Sequence, residues 1–360
     1  MPIQDPKETL ENCRFCLMCT HVAPVGFYTR LETYSPHGIA LIATSEERDL
    51  IGWDAETVSI MFSEVDGGNS RAHCVFSQPF EESVAAVRAQ LVSHGLAPDR
   101  VIEAQHKIVT YGNPYEEQAP QLADDQGDYA LFVGDAAAYL WPTAVHAAAD
   151  LLKKVGVEPV LVGIGRNNGL LAHSLGYPDL AQELAAATLD DIERSGAKTL
   201  LVLSAGDFYA FTDALQERLD MALPEGVEIV EVGQLLIDGG HVRAAGGGEG
   251  EPAAAYVDPT HAVRLPNRHN TARTLASAAA GGELVELFWR RDRAHPVGST
   301  YLQFGNPQLA ETLTRARLED AKNVGATKLL CEDPATLYQL SRFANDYGIE
   351  VVGIFEELVD

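Results

Sequence analysis

Three cysteines stand close together near the N-terminal end of the chain, in the segment Cys13-Arg-Phe-Cys16-Leu-Met-Cys19. Because each lies three positions after the one before it, a single tight loop can bring all three thiols together. Thiolates are soft ligands that bind zinc and hold iron-sulfur clusters. Zinc more often takes two separated pairs of Cys or His, whereas three thiols on one loop suit an iron-sulfur cube. The segment therefore predicts a metal centre, and a cubane cluster is the first interpretation.

The same segment resembles the cysteine run of bacterial ferredoxins, with Ala23, followed by Pro24, where that run has its last cysteine. In ferredoxins this last cysteine ligates a second cluster, so Ala23 removes a ligand from that second cluster only. A second dense run of cysteines is also absent, which describes the same missing cluster. The first cluster still needs a fourth thiolate, and Cys74 is the only other cysteine in the N-terminal half of the chain.

We therefore predict one four-iron four-sulfur (4Fe-4S) cluster as the cofactor, with Cys13, Cys16, Cys19 and Cys74 as its ligands. Two alternatives stay open, namely a zinc ion held by the same thiolates and thiols that bind no metal after loss of the cluster. His21 falls outside the three-residue spacing, so we interpret it as a loop residue near the centre rather than as a ligand.

The charge of the chain limits its partners. Of 360 residues, 52 are acidic and 26 basic, which gives a formal net charge of −26. This sign argues against binding to nucleic acid or to an anionic membrane surface. No apolar run approaches the length of about 20 residues that a membrane span needs. Five cysteines, four of them assigned to one site, suit a reducing compartment. We therefore expect a cytoplasmic protein without a transmembrane segment.

Residues 1–110 are predicted to form a helical module. Apolar residues recur there with helical spacing at 38–50, 55–65 and 80–94, and turn-forming residues separate these runs. Since few apolar residues remain for a core, we expect the metal centre to be part of it.

From about residue 128, short apolar runs alternate with amphipathic helical patterns, which predicts parallel sheets covered by helices. The chain from 238 to 252 is predicted to be a flexible break, after which the alternation resumes. The predicted fold class is α+β multidomain, with an all-helical ferredoxin-like module at 1–110 and two pseudo-repeated α/β domains at 128–245 and 253–360.

The second α/β segment repeats the first. Leu175-Gly-Tyr-Pro-Asp-Leu-Ala aligns with Phe304-Gly-Asn-Pro-Gln-Leu-Ala, and Ser195-Gly-Ala aligns with Val324-Gly-Ala, at one constant offset and without a gap. Two copies of one unit are expected to pack about a pseudo-twofold axis, and the space between them is the default place for a ligand.

Short motifs in both units carry a resemblance to a known family. They are Val133-Gly134-Asp135, Asn167-Asn168-Gly169, Ser204-Ala-Gly-Asp207, Asp258-Pro259-Thr260-His261, Pro296-Val297-Gly298 and Asp333-Pro334-Ala335-Thr336. With the N-terminal cysteines, they resemble the iron-sulfur electron-transfer subunits with paired CCG domains. This family includes heterodisulfide reductase subunits, the anaerobic glycerol phosphate dehydrogenase electron-transfer subunit and the lactate-utilisation iron-sulfur proteins.

Every cysteine of the two CCG motifs is absent from this chain. Asn167 and Asn168 stand at the Cys-Cys positions, Ser204 and Asp207 at the Cys-x-x-Cys positions of the first domain, and the second domain has likewise lost its thiols. These residues cannot replace soft thiolates as iron ligands, so we expect no cluster at either CCG-like site. Cys331 ends a predicted strand outside the motif, and we interpret it as a buried structural thiol.

Several polar residues remain as candidates. His261, Arg264, Arg268 and His269 follow a predicted strand end, where an anion or a cofactor phosphate could bind. We favour the interpretation that they support the former cluster site or contact acidic groups. A basic segment at 289–293, followed by His295, is a solvated loop or a docking element. The acidic pairs at 190–191 and 319–320 are interpreted as solvated helix faces.

The resemblance implies an electron-transfer subunit of a flavin-dependent oxidoreductase complex rather than a catalytic chain. The partners implied are a flavoenzyme dehydrogenase and a second carrier such as an electron-transfer flavoprotein, in a hetero-oligomer. One alternative is that the CCG-like pair binds a small cofactor or substrate and is catalytic, in a deep pocket lined by Asn167, Asn168, His261 and His295. Another is a structural subunit whose cluster is not redox-active.

Overall fold

The computed structural model of the chain describes residues 6–13, 16–118, 125–245 and 253–359. The part of it before residue 119 is built from short helices. They are α1 (Pro6–Glu11), α2 (Pro24–Thr29), α3 (Pro36–Glu47), α4 (Ala55–Met61), α5 (Asn69–His73), α6 (Phe80–Ser93) and α7 (Asp99–Tyr111).

Local sequence signals explain where several of these helices begin. Ser35 precedes α3 and its side chain accepts a hydrogen bond from Gly38 N at 3.3 Å, while Pro36 occupies the first helical position. Asp54 and Thr57 form a capping box at the start of α4. The segment 35–38, which its sequence suggests to be a turn, is thus the first turn of a helix.

A four-stranded parallel sheet follows, with strand order β2-β1-β3-β4. Its strands are β1 (Tyr129–Val133), β2 (Val160–Ile164), β3 (Thr199–Val202) and β4 (Glu228–Glu231). The connecting helices are α8 (Gly134–Tyr139), α9 (Pro142–Lys154), α10 (Leu170–Ser174), α11 (Pro178–Arg194), α12 (Ala205–Tyr209), α13 (Leu215–Leu219) and α14 (Val232–Asp238). The predicted strands lie in this sheet. Their sequences are nearly continuous apolar runs because helices cover both faces of the sheet.

A second parallel sheet has the order β5-β6-β7. Its strands are β5 (Ala254–Tyr256), β6 (Lys328–Cys331) and β7 (Glu350–Gly353). The helices around it are α15 (His269–Ala280), α16 (Leu302–Gly305), α17 (Pro307–Asn323), α18 (Pro334–Ser341) and α19 (Ile354–Val359). Of the predicted break at 238–252, residues 246–252 lie outside the described part of the chain.

The repeat predicted from the sequence is visible in the elements. Helices α11 and α17 each have 17 residues, and strands β3 and β6 each have 4 residues. The offset between the two helices equals the offset between the two strands. Val285 forms an isolated parallel bridge with Ala255 of β5, at the place where β2 pairs with β1 in the first sheet. The second unit therefore keeps the topology of the first with its outer strand reduced to a bridge.

The two α/β units share one hydrophobic core. Leu131 of β1 and Leu201 of β3 belong to the same cluster of buried side chains as Leu330 of β6 and Phe355 of α19. Trp141 Nε1 also donates a hydrogen bond of 2.7 Å to Glu356 Oε1 across the units. The units therefore pack directly against each other.

The N-terminal helices are anchored on both units. Their core includes Met61 and Leu91 together with Leu175 of the first unit and Leu313 of the second. The mixed helix and parallel-sheet architecture confirms the predicted α+β fold class. In the described ranges, no helix combines the length and the apolar character needed to cross a bilayer.

Candidate metal centre and central cavity

The four cysteines predicted as ligands line one cavity. Cys13 follows α1, Cys16 and Cys19 lie in the loop before α2, and Cys74 directly follows α5. The cavity has a volume of about 50 Å³, and Phe80 is among its apolar neighbours. Cys16 is exposed, whereas the other three cysteines are partly buried. The fold thus brings Cys74 to the cysteine loop although four helices, α2, α3, α4 and α5, lie between it and Cys19 in the sequence.

The thiols are close enough to influence each other electrostatically. The pKa of Cys19 is raised to about 12, mainly by burial and then by the negative charge that Cys13 carries as a thiolate. Cys74 and Cys16 act in the same direction, while a backbone hydrogen bond opposes them. Cationic iron would reverse this preference, because thiolates bind metals and thiols do not.

Four thiols are the number that a cubane cluster needs, one for each iron of the cube. Within the described ranges, no three or more His, Cys, Asp or Glu side chains converge closely enough to hold a single metal ion. A cubane cluster binds each thiolate to a different iron at a different corner, so it keeps the sulfurs farther apart than one ion does. His37 also lines the cavity, but its ring contacts Ser35 Oγ at 2.9 Å and Glu32 Oε1 at 2.9 Å.

Apolar side chains surround the cysteine cavity at the surface. Leu17 and Met18 are 49% and 52% exposed, and Val75 and Phe76 are 66% and 58% exposed. Large exposed apolar side chains beside the cysteines, in a chain of net charge −26, form the kind of patch that marks a contact site. We call these four residues the apolar rim.

A second, larger cavity lies between the two α/β units. It has a volume of about 110 Å³ and is lined by residues at the positions of the former cysteine motifs. Asn167, Asn168 and Asp207 come from the first unit, and His261 and Asp333 come from the second. Most of these residues follow strands, because the carboxyl ends of parallel strands meet at one edge of a sheet.

Four aspartates line this cavity, and one of them, Asp66, is paired with Arg218. The other three have no such partner among the described residues. Asp135 follows β1, Asp207 lies in α12 after β3, and Asp333 follows β6. Asn167 Nδ2 donates to Asp135 Oδ2 at 3.0 Å, and Asn168 Nδ2 donates to Asp207 Oδ1 at 3.3 Å. The asparagines at the former Cys-Cys positions therefore orient two of the carboxylates.

Burial and mutual repulsion make these carboxyls hard to ionise. The pKa of Asp207 is raised to about 7, first by loss of solvation and then by the charge of Asp333, with Asp135 adding to the effect. Burial also raises the pKa of Asp135 and of Asp333, although hydrogen bonds from Asn167 and Thr336 oppose it. Negative charge on these carboxyls is therefore disfavoured unless a cation lies beside them.

His261 is the most constrained polar group of the cavity. Its backbone is left-handed with φ 75°, the residue is 4% exposed, and neither ring nitrogen makes a hydrogen bond of regular geometry. The ring stacks on Tyr209 with centroids 5.0 Å apart. Burial lowers its pKa to about 3, the charges of Arg264 and Arg218 act in the same direction, and Asp66 opposes them. The imidazole is therefore neutral near pH 7.

His295 does not belong to this cavity. Its ring stacks on Trp289 with centroids 3.8 Å apart and contacts Phe27 and Tyr28 edge-on. The structure thus brings together Asn167, Asn168 and His261 from the predicted pocket but places His295 elsewhere.

The cationic residues after β5 are already occupied. Arg264 Nη1 lies 2.8 Å from Glu82 Oε1, and Arg268 contacts Glu231. His269 Nε2 is 3.0 Å from the carbonyl oxygen of Ala262. These groups therefore balance internal carboxylates and backbone, and the anion site considered from the sequence is not open.

Sequence reasoning missed a buried ion network below the central cavity. Arg218 forms two hydrogen bonds with Asp66, at 2.7 and 2.8 Å, and Arg264 shares Glu82 with it. Nearby, Arg88 is fully buried and donates to the carbonyl oxygens of Met61, Glu64 and Ser174. Charged residues on ordinary helical patterns gave no signal that they would be buried.

The fold and the sites together define a class of protein: a helical module with a four-cysteine pocket, joined to two related parallel-sheet units that meet at a polar cavity. No family model matches the chain. In sequence it is 27% identical over 274 residues to a heterodisulfide reductase chain from Methanosarcina barkeri, a subunit of the enzyme called dihydromethanophenazine:CoB--CoM heterodisulfide reductase. It is 26% identical over 252 residues to the chain of the same name from Methanosarcina mazei.

These matches cover 71% and 66% of the chain, and 66% and 61% of the two relatives, which is under two thirds of each relative's length. They confirm the resemblance to heterodisulfide reductase subunits that the motifs predict. Among solved structures, a hypothetical protein from Helicobacter pylori aligns with a TM-score of 0.59 at 9% identity, covering 89% of this chain and 66% of that one. This likeness shows the fold alone.

Proposed function

We propose that the chain is an iron-sulfur electron-transfer subunit of an oxidoreductase complex, with a single 4Fe-4S cluster bound by Cys13, Cys16, Cys19 and Cys74. The observation that carries the proposal is that all four cysteines line one cavity. The donor set fits the cluster, since it offers four thiolates, one for each iron of the cube. When bound, such a cluster accepts and releases single electrons.

The relatives support the same class of function. Both are named as subunits of a heterodisulfide reductase, which is a multi-subunit redox enzyme by its name. Because the matches span less than two thirds of those proteins, we transfer the role of redox subunit and not their substrate. We further propose a flavoenzyme dehydrogenase as electron donor and an electron-transfer flavoprotein or a similar carrier as acceptor, within a hetero-oligomer.

The chain's own contribution would be to bind the cluster near the surface and to present it to partners. Cys16 is exposed, and the apolar rim of Leu17, Met18, Val75 and Phe76 surrounds the cavity. A partner that covers this rim would exclude water and approach the cluster closely. The acidic charge of the chain would favour a partner with a basic face.

Metal and sulfide analysis of anaerobically purified protein tests the proposal. We expect about four irons and about four acid-labile sulfides per chain, together with a reversible electron paramagnetic resonance signal on reduction. Zinc in place of iron would contradict it, and about eight irons would mean that the CCG-like sites also bind a cluster. A cluster that is reduced only when the protein unfolds would instead favour the structural subunit.

A further inference from the structure

We propose that the central cavity between the two α/β units binds a small organic ammonium compound through Asp135, Asp207, Asp333 and the ring of His261. This site is separate from the cysteine pocket, so the proposal does not depend on the function proposed above. None of the described residues that line the cavity is a soft ligand, and Asn167, Asn168 and Asp207, which stand at positions of the family's thiols, carry amide and carboxyl groups instead.

The charge of its lining favours a cation in the central cavity. Among the residues that the structure describes, no Lys or Arg lies within salt-bridge distance of Asp135, Asp207 or Asp333, whereas Asp66, the fourth aspartate of the lining, is paired with Arg218. Three carboxyl groups from three strand ends are thus collected without a counterion from the described part of the chain. A cation is the ligand that relieves their repulsion.

The hydrogen-bonding groups of the cavity favour a ligand that donates N–H groups. The Nδ2 groups of Asn167 and Asn168 already donate to carboxylates, and their Oδ1 atoms accept from the backbone N–H of Gly169 and Leu170, both at 3.0 Å. Neither ring nitrogen of the buried His261 makes a hydrogen bond of regular geometry with the described residues. A neutral imidazole always offers one acceptor nitrogen. The ring of His261 therefore leaves an acceptor nitrogen for a ligand that carries an N–H group.

The volume of the cavity and the aromatic side chains that line it suit a small ligand with a short carbon chain. A volume of about 110 Å³ admits a small organic ligand, because on the same measure one water needs only about 10–15 Å³. Tyr115 and Phe304 form one wall, with ring centroids 6.2 Å apart. Phe132 lines another part of the cavity. Aromatic faces attract cations and accommodate a short carbon chain.

Other ligand classes fit less well. An anion would face three carboxyl groups and no free cationic side chain in the described part of the cavity. A divalent metal ion would need at least three of these groups to converge, and the described His, Cys, Asp and Glu side chains do not converge in this way. A primary ammonium ion with a short alkyl chain satisfies charge, hydrogen bonds and size together.

Three small ions of different charge test the proposal on the full-length protein with its metal centre intact. Isothermal titration calorimetry would compare propylammonium, propionate and Mn²⁺, and ligand-observed nuclear magnetic resonance would check specificity. We expect one propylammonium to bind per chain and propionate not to bind. Tighter binding of propionate, competition by Mn²⁺ for the same site, or no binding of propylammonium would each overturn the proposal.

Substitutions then assign the site. Asp207→Asn and Asp333→Asn keep the size and shape of the side chain while removing its charge, and asparagine is also a good helix-capping residue at position 333. Each is expected to weaken propylammonium binding roughly tenfold or more. Asp190→Asn, on the exposed face of α11, is the matched control and should leave binding unchanged. Unchanged binding in both cavity variants, with iron content as in the parent protein, would overturn the assignment.

Discussion

Cys74 lies in the same cavity as Cys19, and its charge adds to the effects that raise the pKa of the Cys19 thiol. Cys74 reaches this position because α5 ends at His73 and points the following residue at the cysteine loop. The proximity of these two residues supports the proposal of a site with four ligands rather than three.

We predict that Cys74→Ala abolishes stable binding of the four-iron cluster. The cluster would lose one thiolate, and no other described cysteine lines the cavity besides those of the loop. Iron and sulfide analysis and the visible absorption spectrum measure the loss. Cys331→Ala is the control, because Cys331 is fully buried in β6 and does not line the cysteine cavity. The Cys331→Ala protein should keep about four irons. A Cys74→Ala protein with its full iron content would remove Cys74 from the ligand set.

A second prediction concerns the apolar rim. Phe76→Ser is expected to slow electron transfer from the reduced protein to cytochrome c, a basic protein oxidant, by a few-fold. The substitution removes an aromatic contact from the surface beside the cluster, and aromatic residues carry much of the binding energy at interfaces. Stopped-flow absorbance measures the rate.

The controls separate docking from chemistry. Oxidation by ferricyanide, which is too small to need a docking surface, should be unchanged in Phe76→Ser. Leu50→Ser, at a residue that is 71% exposed outside the rim, should leave both rates unchanged. Equal slowing by both oxidants would show that the substitution altered the cluster instead.

The raised pKa of Asp207 leads to a prediction about pH and stability. The folded protein holds a proton on Asp207 up to about pH 7, whereas the unfolded chain loses it near the ordinary pKa of 3.8. The stability contributed by the Asp207 carboxyl is therefore complete below pH 3.8 and is lost as the pH rises toward 7. Asp207→Asn removes this dependence, so its stability relative to the parent protein should increase from about pH 4 to about pH 8.

The upper limit is about 1.4 kcal/mol for each unit by which the folded and unfolded pKa values differ. Urea denaturation at the two pH values measures the difference. Asp190→Asn, at an exposed position, should show no such change between them. A constant difference between Asp207→Asn and the parent protein across this range would contradict the raised pKa.

A fourth prediction concerns Arg88. Its guanidinium donates to the carbonyl oxygens of Met61, Glu64 and Ser174, and the side chain that makes these contacts is fully buried. Arg88→Met would leave these acceptors unpaired, and we expect a loss of about 3 to 5 kcal/mol in the free energy of unfolding. Arg48→Met is the control, because its contact with Glu11 is exposed and should contribute about 0 to 1 kcal/mol. Similar losses for the two variants would show that the hydrogen bonds of Arg88 contribute little.

Much of the fold could be predicted from the sequence because its signals are local. The spacing of apolar residues locates α6 and α11 closely, and the constant offset of the repeat locates β6 from β3. The pocket formed by the cysteines was also predictable, since thiols at this spacing have few other uses. The domain boundaries and the cluster ligands stay predictions.

The rest depended on contacts between distant parts of the chain. The sequence suggests that the acidic pairs at 190–191 and 319–320 are solvated, yet the Asp320 carboxylate accepts hydrogen bonds from the backbone of Phe288 and Trp289. Asp191 is 4% exposed and is paired with Arg166 and Arg194. Helical periodicity shows which face is polar but not which polar residue meets a partner from another element.

The common core of the two sheets limits how the two α/β units can move relative to each other. With Leu131 and Leu330 in one layer of packed side chains, the walls of the central cavity cannot slide past each other without opening that layer to water. A molecule bound there would lie between walls of fixed position rather than between domains that close around it. Entry and exit would then depend on side chains at the mouth of the cavity, while the two halves keep their relative position.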